Sequence, residues 1–178
     1  EIVVLSMRFS DFIQAEYDLA DRVRSAVERL HRAGADFVVA ACNSVHVVYD
    51  EIAAGLPIPW VGITDAAAEA IIRDQFTTVG LLGTVFTMRG DFYPKALARR
   101  GITALTPPAD RQGQVNDIIY RELVTGVVKP ESRRVVLGVM EELAARGAQG
   151  VVLACTELPF LIRQEDTPIR VYDTTTLH

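Results

Sequence analysis

Cysteine is nearly missing from this chain: Cys42 and Cys155 are the only two among 178 residues. Two thiols are too few for a disulfide framework, so the expected setting is a reducing cytoplasm in which both stay free. Aromatic residues make up 7% and tryptophan occurs once. No apolar run reaches the roughly 18 residues a membrane-spanning helix needs. The opening residues do not follow the basic-then-apolar pattern of a secretory leader. Runs of Lys or Arg are also missing; 18 basic residues face 23 acidic ones, a net charge of −5. That balance argues against nucleic acid or an anionic membrane surface as a partner. What remains is 49% hydrophobic and 23% charged, the make-up of a globular protein and not of a disordered one. The length suits one large domain or two small lobes and buries a core without metal or disulfide support. The chain opens with Glu1 on a strand-like run and not with Met, and is expected to begin inside a domain.

Short aliphatic runs alternate with amphipathic stretches. Ile2-Val3-Val4-Leu5 reads as a buried strand. Residues 15–33 place Leu19, Val23, Ala26, Val27 and Leu30 on one helical face, with Gly34 as the residue that ends the helix. Phe37 to Ala41 is a second buried run, and Val45 to Ala54 reads as helix. Pro57 and Pro59 precede a third strand, Trp60 to Ile63. Asp65 is placed to cap a helix over 66–74. Val79–Gly83 then opens a new series: helix near 88–99, strand near 102–105, helices over 111–124 and 131–146, and strands at Val151–Ala154 and Ile169–Tyr172. Strands that are apolar on both faces and separated by helices predict α/β layering with parallel sheets.

The chain also echoes itself. Leu30 to Cys42 and Leu143 to Cys155 share seven of 13 positions at a constant offset of 113, including Gly34/Gly147 and Cys42/Cys155. A period that long is no solenoid repeat. It predicts two similar α/β lobes, against the plainer reading that helix–glycine–strand units resemble one another. The expected organisation is two pseudo-symmetric lobes, residues 1–75 and 76–178, each with a mainly parallel sheet flanked by helices. The active site lies in the cleft between them, and residues 169–178 pack back towards the first lobe.

Each cysteine ends an aliphatic strand and precedes small polar residues, Cys42-Asn43-Ser44 and Cys155-Thr156-Glu157. Ligands of open α/β sheets bind beyond the carboxyl ends of the strands. Helix-start amides there attract a carboxylate and favour a thiolate. Two thiols on opposite sides of a carbon acid suit inversion: one removes the α-proton and the other returns a proton to the opposite face, with preorganised donors holding the developing charge. Other readings stand beside this one. Free cysteine often packs as a small hydrophobe. Cys42, Cys155 and His46 can ligate a metal in principle, without CxxC or HxxxH spacing to support it. A redox pair requires closer approach than a substrate between the thiols allows.

At these residues the chain resembles the aspartate/glutamate racemase family. The signatures are VVAACNSVH (38–46) and VVLACTELPFLI (151–162), supported by GLLGTVFTMRGDFY (80–93), IIYRELVTGVVKPESR (118–133) and DTTTLH (173–178). The resemblance spans nearly the whole chain and leans towards the aspartate branch. It implies racemisation of an acidic amino acid without pyridoxal phosphate or any other cofactor or metal, and a homodimer. It implies Cys42 and Cys155 as the acid–base pair and Asn43, Ser44 and Thr156 as holders of the α-carboxylate and amino groups. Thr84 and Thr87 match residues lining the cleft. Lys129 and, more loosely, Arg8 match substrate-binding cations, and His46 matches a frequent histidine that either contacts ligand or packs the helix. Glutamate racemases carry His after the second Cys-Thr, where this chain has Glu157. That carboxylate either disfavours a thiolate at Cys155 or assists it as a base. The family also begins with a strand, a glycine-rich loop and a helix ahead of Ile2 and ends with a helix beyond His178, so such segments are expected to flank these residues. Hydantoin racemase, maleate isomerase, arylmalonate decarboxylase and a non-catalytic small-carboxylate binder are the alternatives on the same scaffold.

Overall fold

The computed structural model describes residues 2–7 and 18–178. Arg8 and the helix start expected at 15–17 lie outside the described residues. Among the described residues six strands form two parallel sheets. β1 (Val38–Val39) pairs with β2 (Trp60–Val61) in the first lobe, while β3 (Thr78–Gly83), β4 (Thr103–Leu105), β5 (Gly150–Ala154) and β6 (Arg170–Asp173) form the second sheet in the order β4-β3-β5-β6. The helices are α1 (Leu19–Arg32), α2 (Tyr49–Ile52), α3 (Ile63–Arg73), α4 (Val85–Arg89), α5 (Phe92–Ala98), α6 (Ala109–Arg121), α7 (Pro130–Ala145), α8 (Leu158–Leu161) and α9 (Thr174–Leu177).

The four-stranded sheet explains the unbroken apolar runs. Val151 and Leu153 of β5 enter one core with Val115, Ile119, Val136, Met140 and Leu143. Val152 and Ala154 enter another with Ile71, Val79, Leu81, Tyr93 and Tyr172. Successive residues point to opposite faces of a strand, so a sheet covered on both sides needs apolar residues at every position. Helix α3 packs its buried Ala68, Ala70 and Ile71 into this second region. It thus lies against the larger sheet although it precedes residue 75. His178 returns to the first lobe, its Nε2–H donating to the Val61 carbonyl at 2.8 Å. Arg99 also spans the lobes, reaching Asp50 through two bonds of 2.7 and 3.0 Å.

The echoed glycines share one local cause. Gly34 and Gly147 have φ of +92° and +101°, where an L side chain is strained. Ala35 N–H bonds to Leu30 O and Ala148 N–H to Leu143 O, both at 3.1 Å; Gly34 N–H bonds to His31 O and Gly147 N–H to Ala144 O, both at 2.9 Å. Both are Schellman caps, and their four bonds superpose at the same offset of 113.

Several expectations are corrected. Ile2–Leu5 forms no strand, and Ile2 and Val4 are 89% and 82% exposed. Among the described residues β1 pairs only with β2, so nothing supplies the ladder that a buried strand requires. The run 37–41 shortens to two paired residues; Val38 is buried and Ala40 half-buried against the core, while Phe37 and Val39 stay exposed. Ile63 belongs to α3 and not to a strand. That helix therefore starts earlier than expected, at Ile63 with Gly62 as its N-cap residue, and Asp65 makes no cap but pairs with Arg100 at 3.4 Å. The stretch 88–99 is two helices, divided at Gly90 and Asp91.

Candidate active site

The order β4-β3-β5-β6 defines where this fold receives ligands. The chain leaves β3 towards β4 on one side and later enters β5 on the other, so the crevice opens between the ends of β3 and β5. Gly83 pairs with Ala154, and the next residues, Thr84 and Cys155, emerge side by side. A side chain at Gly83 would bring its Cβ within 2.8 Å of the Ala154 carbonyl; glycine keeps the two strand ends close.

Cys155 is buried, and its Sγ–H donates to Glu157 Oε2 at 3.0 Å. Thr156 Oγ1 donates to the same oxygen at 2.8 Å. Burial first, and the Glu157 carboxylate second, push the Cys155 thiol far above the ordinary cysteine range. At neutral pH this group is a proton donor whose proton already points at a carboxylate. Glu157 disfavours the resting thiolate and lies within hydrogen-bond distance of the thiol.

Cys42 is half-buried, three residues beyond the end of β1 rather than on the strand as expected. Its position depends on two neighbours. The His46 ring is buried and bonded twice to backbone: Ile63 N–H donates to Nε2, and Nδ1 lies on the Cys42 carbonyl, both at 3.0 Å. An accepting Nε2 requires the neutral tautomer with the proton on Nδ1. Desolvation by burial lowers its pKa to about 4, which agrees with that state. His46 is therefore a packed structural imidazole, with neither nitrogen turned to ligand. Asn43 is also buried and used at both ends. Tyr93 O–H donates to Oδ1 at 2.5 Å, and Nδ2 donates to Thr174 Oγ1 at 3.1 Å.

Tyr120 stands at the end of α6 and is 42% exposed; the pKa of its phenol is raised first by partial burial and then by the charges of Cys155, Cys42 and Glu157. It falls within the family-like segment 118–133, but helical periodicity does not mark which of its polar groups turns towards the cleft.

Other expected residues divide. Thr84 caps α4: its Oγ1 accepts from Thr87 N–H at 3.3 Å and lies 3.3 Å from Thr87 Oγ1. Asn116 Oδ1 holds the next amide, Val85 N–H, at 2.9 Å. Both threonines are buried at the cleft edge. Ser44 is half-buried and opens a 3₁₀ turn over Ser44–Val48. Lys129 is engaged elsewhere, its Nζ 3.2 Å from Glu122 Oε1 at the start of α7. After Cys42 the 3₁₀ turn Ser44–Val48 runs on into α2 and a second 3₁₀ turn over Ala53–Gly55, so the helical stretch expected over Val45 to Ala54 is present, whereas only the four residues of α8 follow Cys155. Among the described residues no three His, Cys, Asp or Glu side chains are grouped to hold a metal ion, and no helix is long and apolar enough to cross a membrane.

Comparison with known proteins places this geometry. Residues 1–178 match the family model described as Asp/Glu/Hydantoin racemase. A glutamate racemase of Deinococcus radiodurans is 32% identical over 154 residues, 83% of this chain and 51% of its own length. The chain thus spans about half of that relative. A broad specificity amino-acid racemase of Bacillus subtilis is 25% identical over 148 residues, 82% of this chain and 62% of its own. The crystal structure of an aspartate racemase homologue from Pyrococcus horikoshii superposes with a TM-score of 0.89 at 34% identity, covering 100% of this chain and 80% of that one.

Proposed function

The chain belongs to the Asp/Glu/Hydantoin racemase family, and from that membership we propose that it racemises an acidic amino acid, aspartate first, without a cofactor. One observation carries the reading: two free cysteines, Cys155 directly after β5 and Cys42 three residues after β1, with the Cys155 thiol donating to a carboxylate. In the proposed reaction one thiolate takes the α-proton, becomes a thiol and leaves a carbanion delocalised into the α-carboxylate. The thiol on the other side gives its proton to the opposite face and becomes the thiolate. The C–H bond broken on one face is replaced on the other, and the thiols exchange roles for the reverse direction. When Cys155 is the base, Glu157 receives its proton, and Thr156 keeps that carboxylate in place. Ser44, Thr84, Thr87 and Thr156 provide hydroxyls near the substrate carboxylates, and Arg8 is proposed as a cation for the side-chain carboxylate. The likeness to an aspartate racemase homologue and Glu157 in place of histidine favour aspartate over glutamate.

Incubation with L-aspartate in D2O, followed by chiral separation and NMR, should show D-aspartate carrying one deuterium at the α-carbon. A panel containing glutamate, other amino acids, a 5-substituted hydantoin and maleate defines specificity. Absence of α-exchange with every amino acid would overturn the proposal. Glu157→Gln keeps the shape but accepts no proton. It should slow racemisation by roughly a hundredfold, within the usual contribution of a positioned acid–base group. A faster variant would mean that Glu157 only holds the thiol protonated.

A further inference from the structure

Asn43 follows one reactive cysteine, yet its side chain is 3% exposed and turned into the protein. Its amide orientation follows from the chain of donors around it. Thr174 Oγ1–H donates to the Leu153 carbonyl at 2.9 Å, so the hydroxyl oxygen is free only to accept, and the amide nitrogen must face it. The amide oxygen then faces Tyr93, whose phenol is buried completely and held neutral by that burial. The result is one continuous path: Tyr93 to Asn43, Asn43 to Thr174, Thr174 to Leu153. Asn43 adjoins Cys42, and Leu153 lies two residues before Cys155 on β5. Tyr93 comes from α5 and Thr174 from the first turn of α9. Four segments from both lobes meet in this bridge.

We propose that Tyr93 and Thr174 are positioning residues, and that the Tyr93–Asn43–Thr174–Leu153 bridge sets Cys42 in register with Cys155 across the cleft. Its catalytic meaning rests on the racemase reading above; its effect on Cys42 does not. Asn43 serves here as a strut and not as a substrate ligand. The bridge acts on the Cys42 side, because Cys155 is fixed by its own strand and by Glu157. Cutting it therefore has an uneven effect. Misplacing a reacting group by about an ångström slows its step by roughly a hundredfold, whereas the step performed by the other thiol keeps its geometry.

The test uses Tyr93→Phe, Thr174→Val and Thr174→Ser, with two readouts. The first is α-proton exchange in D2O measured separately from each pure enantiomer, with kcat and KM. The second is the alkylation rate of each cysteine by iodoacetamide, followed by peptide mass spectrometry, which needs no turnover. Tyr93→Phe and Thr174→Val should slow exchange from the enantiomer deprotonated by Cys42 by roughly tenfold to a hundredfold. Exchange from the other enantiomer and KM should stay within about threefold. Cys42 alkylation should rise about threefold or more as its loop opens more readily, with Cys155 unchanged. Thr174→Ser, which keeps the hydroxyl, should recover most of what Thr174→Val loses. Equal slowing from both enantiomers, or unchanged Cys42 alkylation, would overturn the proposal. If the wild type exchanges no substrate but Cys42 alkylation still responds, the bridge stands and the racemase reading fails. If Tyr93→Phe does not fold, the Thr174→Val and Thr174→Ser pair decides alone.

Discussion

Cys155→Ala is expected to abolish interconversion of enantiomers, a loss of about a thousandfold or more, without abolishing all chemistry. The remaining Cys42 still removes the α-proton from one enantiomer and returns a deuteron to the same face, so that enantiomer exchanges in D2O with its configuration retained. Cys42→Ala should give the mirror result. The Cys155 thiol is held well above the normal range, chiefly by burial, so the fraction present as free thiolate rises with pH throughout the neutral region. In Cys42→Ala, exchange should climb with pH, more steeply when Glu157→Gln is added and the internal acceptor is gone. The measurement is NMR of α-proton loss from each pure enantiomer between pH 6 and 9. Normal racemisation by either single cysteine variant would sink the two-thiol mechanism.

Acid should weaken the fold through His46. In the native protein its pKa is lowered to about 4, mainly by desolvation, with His178 adding a small repulsion. The ring packs against Trp60 with centroids 4.9 Å apart, and Tyr49 stacks at 6.0 Å. In the unfolded chain the same imidazole titrates near 6.5. The folded pKa is the lower one. As pH falls below 6.5 the unfolded state gains a proton that the native state refuses. The stabilising contribution is complete above about 6.5 and is lost progressively down to about 4. At roughly 1.4 kcal/mol per unit, the loss by pH 5 is about 2 kcal/mol, and about 3 kcal/mol by pH 4. Urea unfolding at pH 7.5 and pH 5 measures it. His46→Gln has no such titration and should show a smaller difference between the two pH values, although it is less stable at neutral pH because the Ile63 amide loses its partner. A difference as large in His46→Gln as in the wild type would remove His46 as the cause.

Much of the fold was readable because it follows from local rules. A sheet covered on both faces demands unbroken aliphatic runs, and Val79 to Leu82 and Val151 to Ala154 are such runs. Schellman caps demand a left-handed residue, and Gly34 and Gly147 provide it. The failures share a cause. Ile2–Leu5 and Phe37–Ala41 carry the same aliphatic signal, but a strand exists only where a neighbour completes its ladder and a layer covers its face. The site divides in the same way. Both cysteines stand out through their matched places in a repeated pattern. Tyr93, Tyr120 and Thr174 lie in family-like segments, yet nothing local distinguishes them from other hydroxyl-bearing residues nearby. Asn43 and His46 look like ligands in one dimension because they follow Cys42 closely; in three dimensions their side chains bond to backbone and buried partners, which sequence does not show.

The sequence alone determined the alternation of strand and helix, the two aliphatic strand ends carrying thiols, the caps that turn the chain, and the family. Each of these depends on residue type and spacing over a few neighbours. Tertiary structure decided where the cleft opens, because a switch point exists only once β3 and β5 lie side by side. It also decided which polar groups face that cleft and which are consumed in holding it together. Hydrogen bonds have direction and each donor is used once, so Asn43, His46 and Thr174 acquire their roles only from partners as far as 131 residues away.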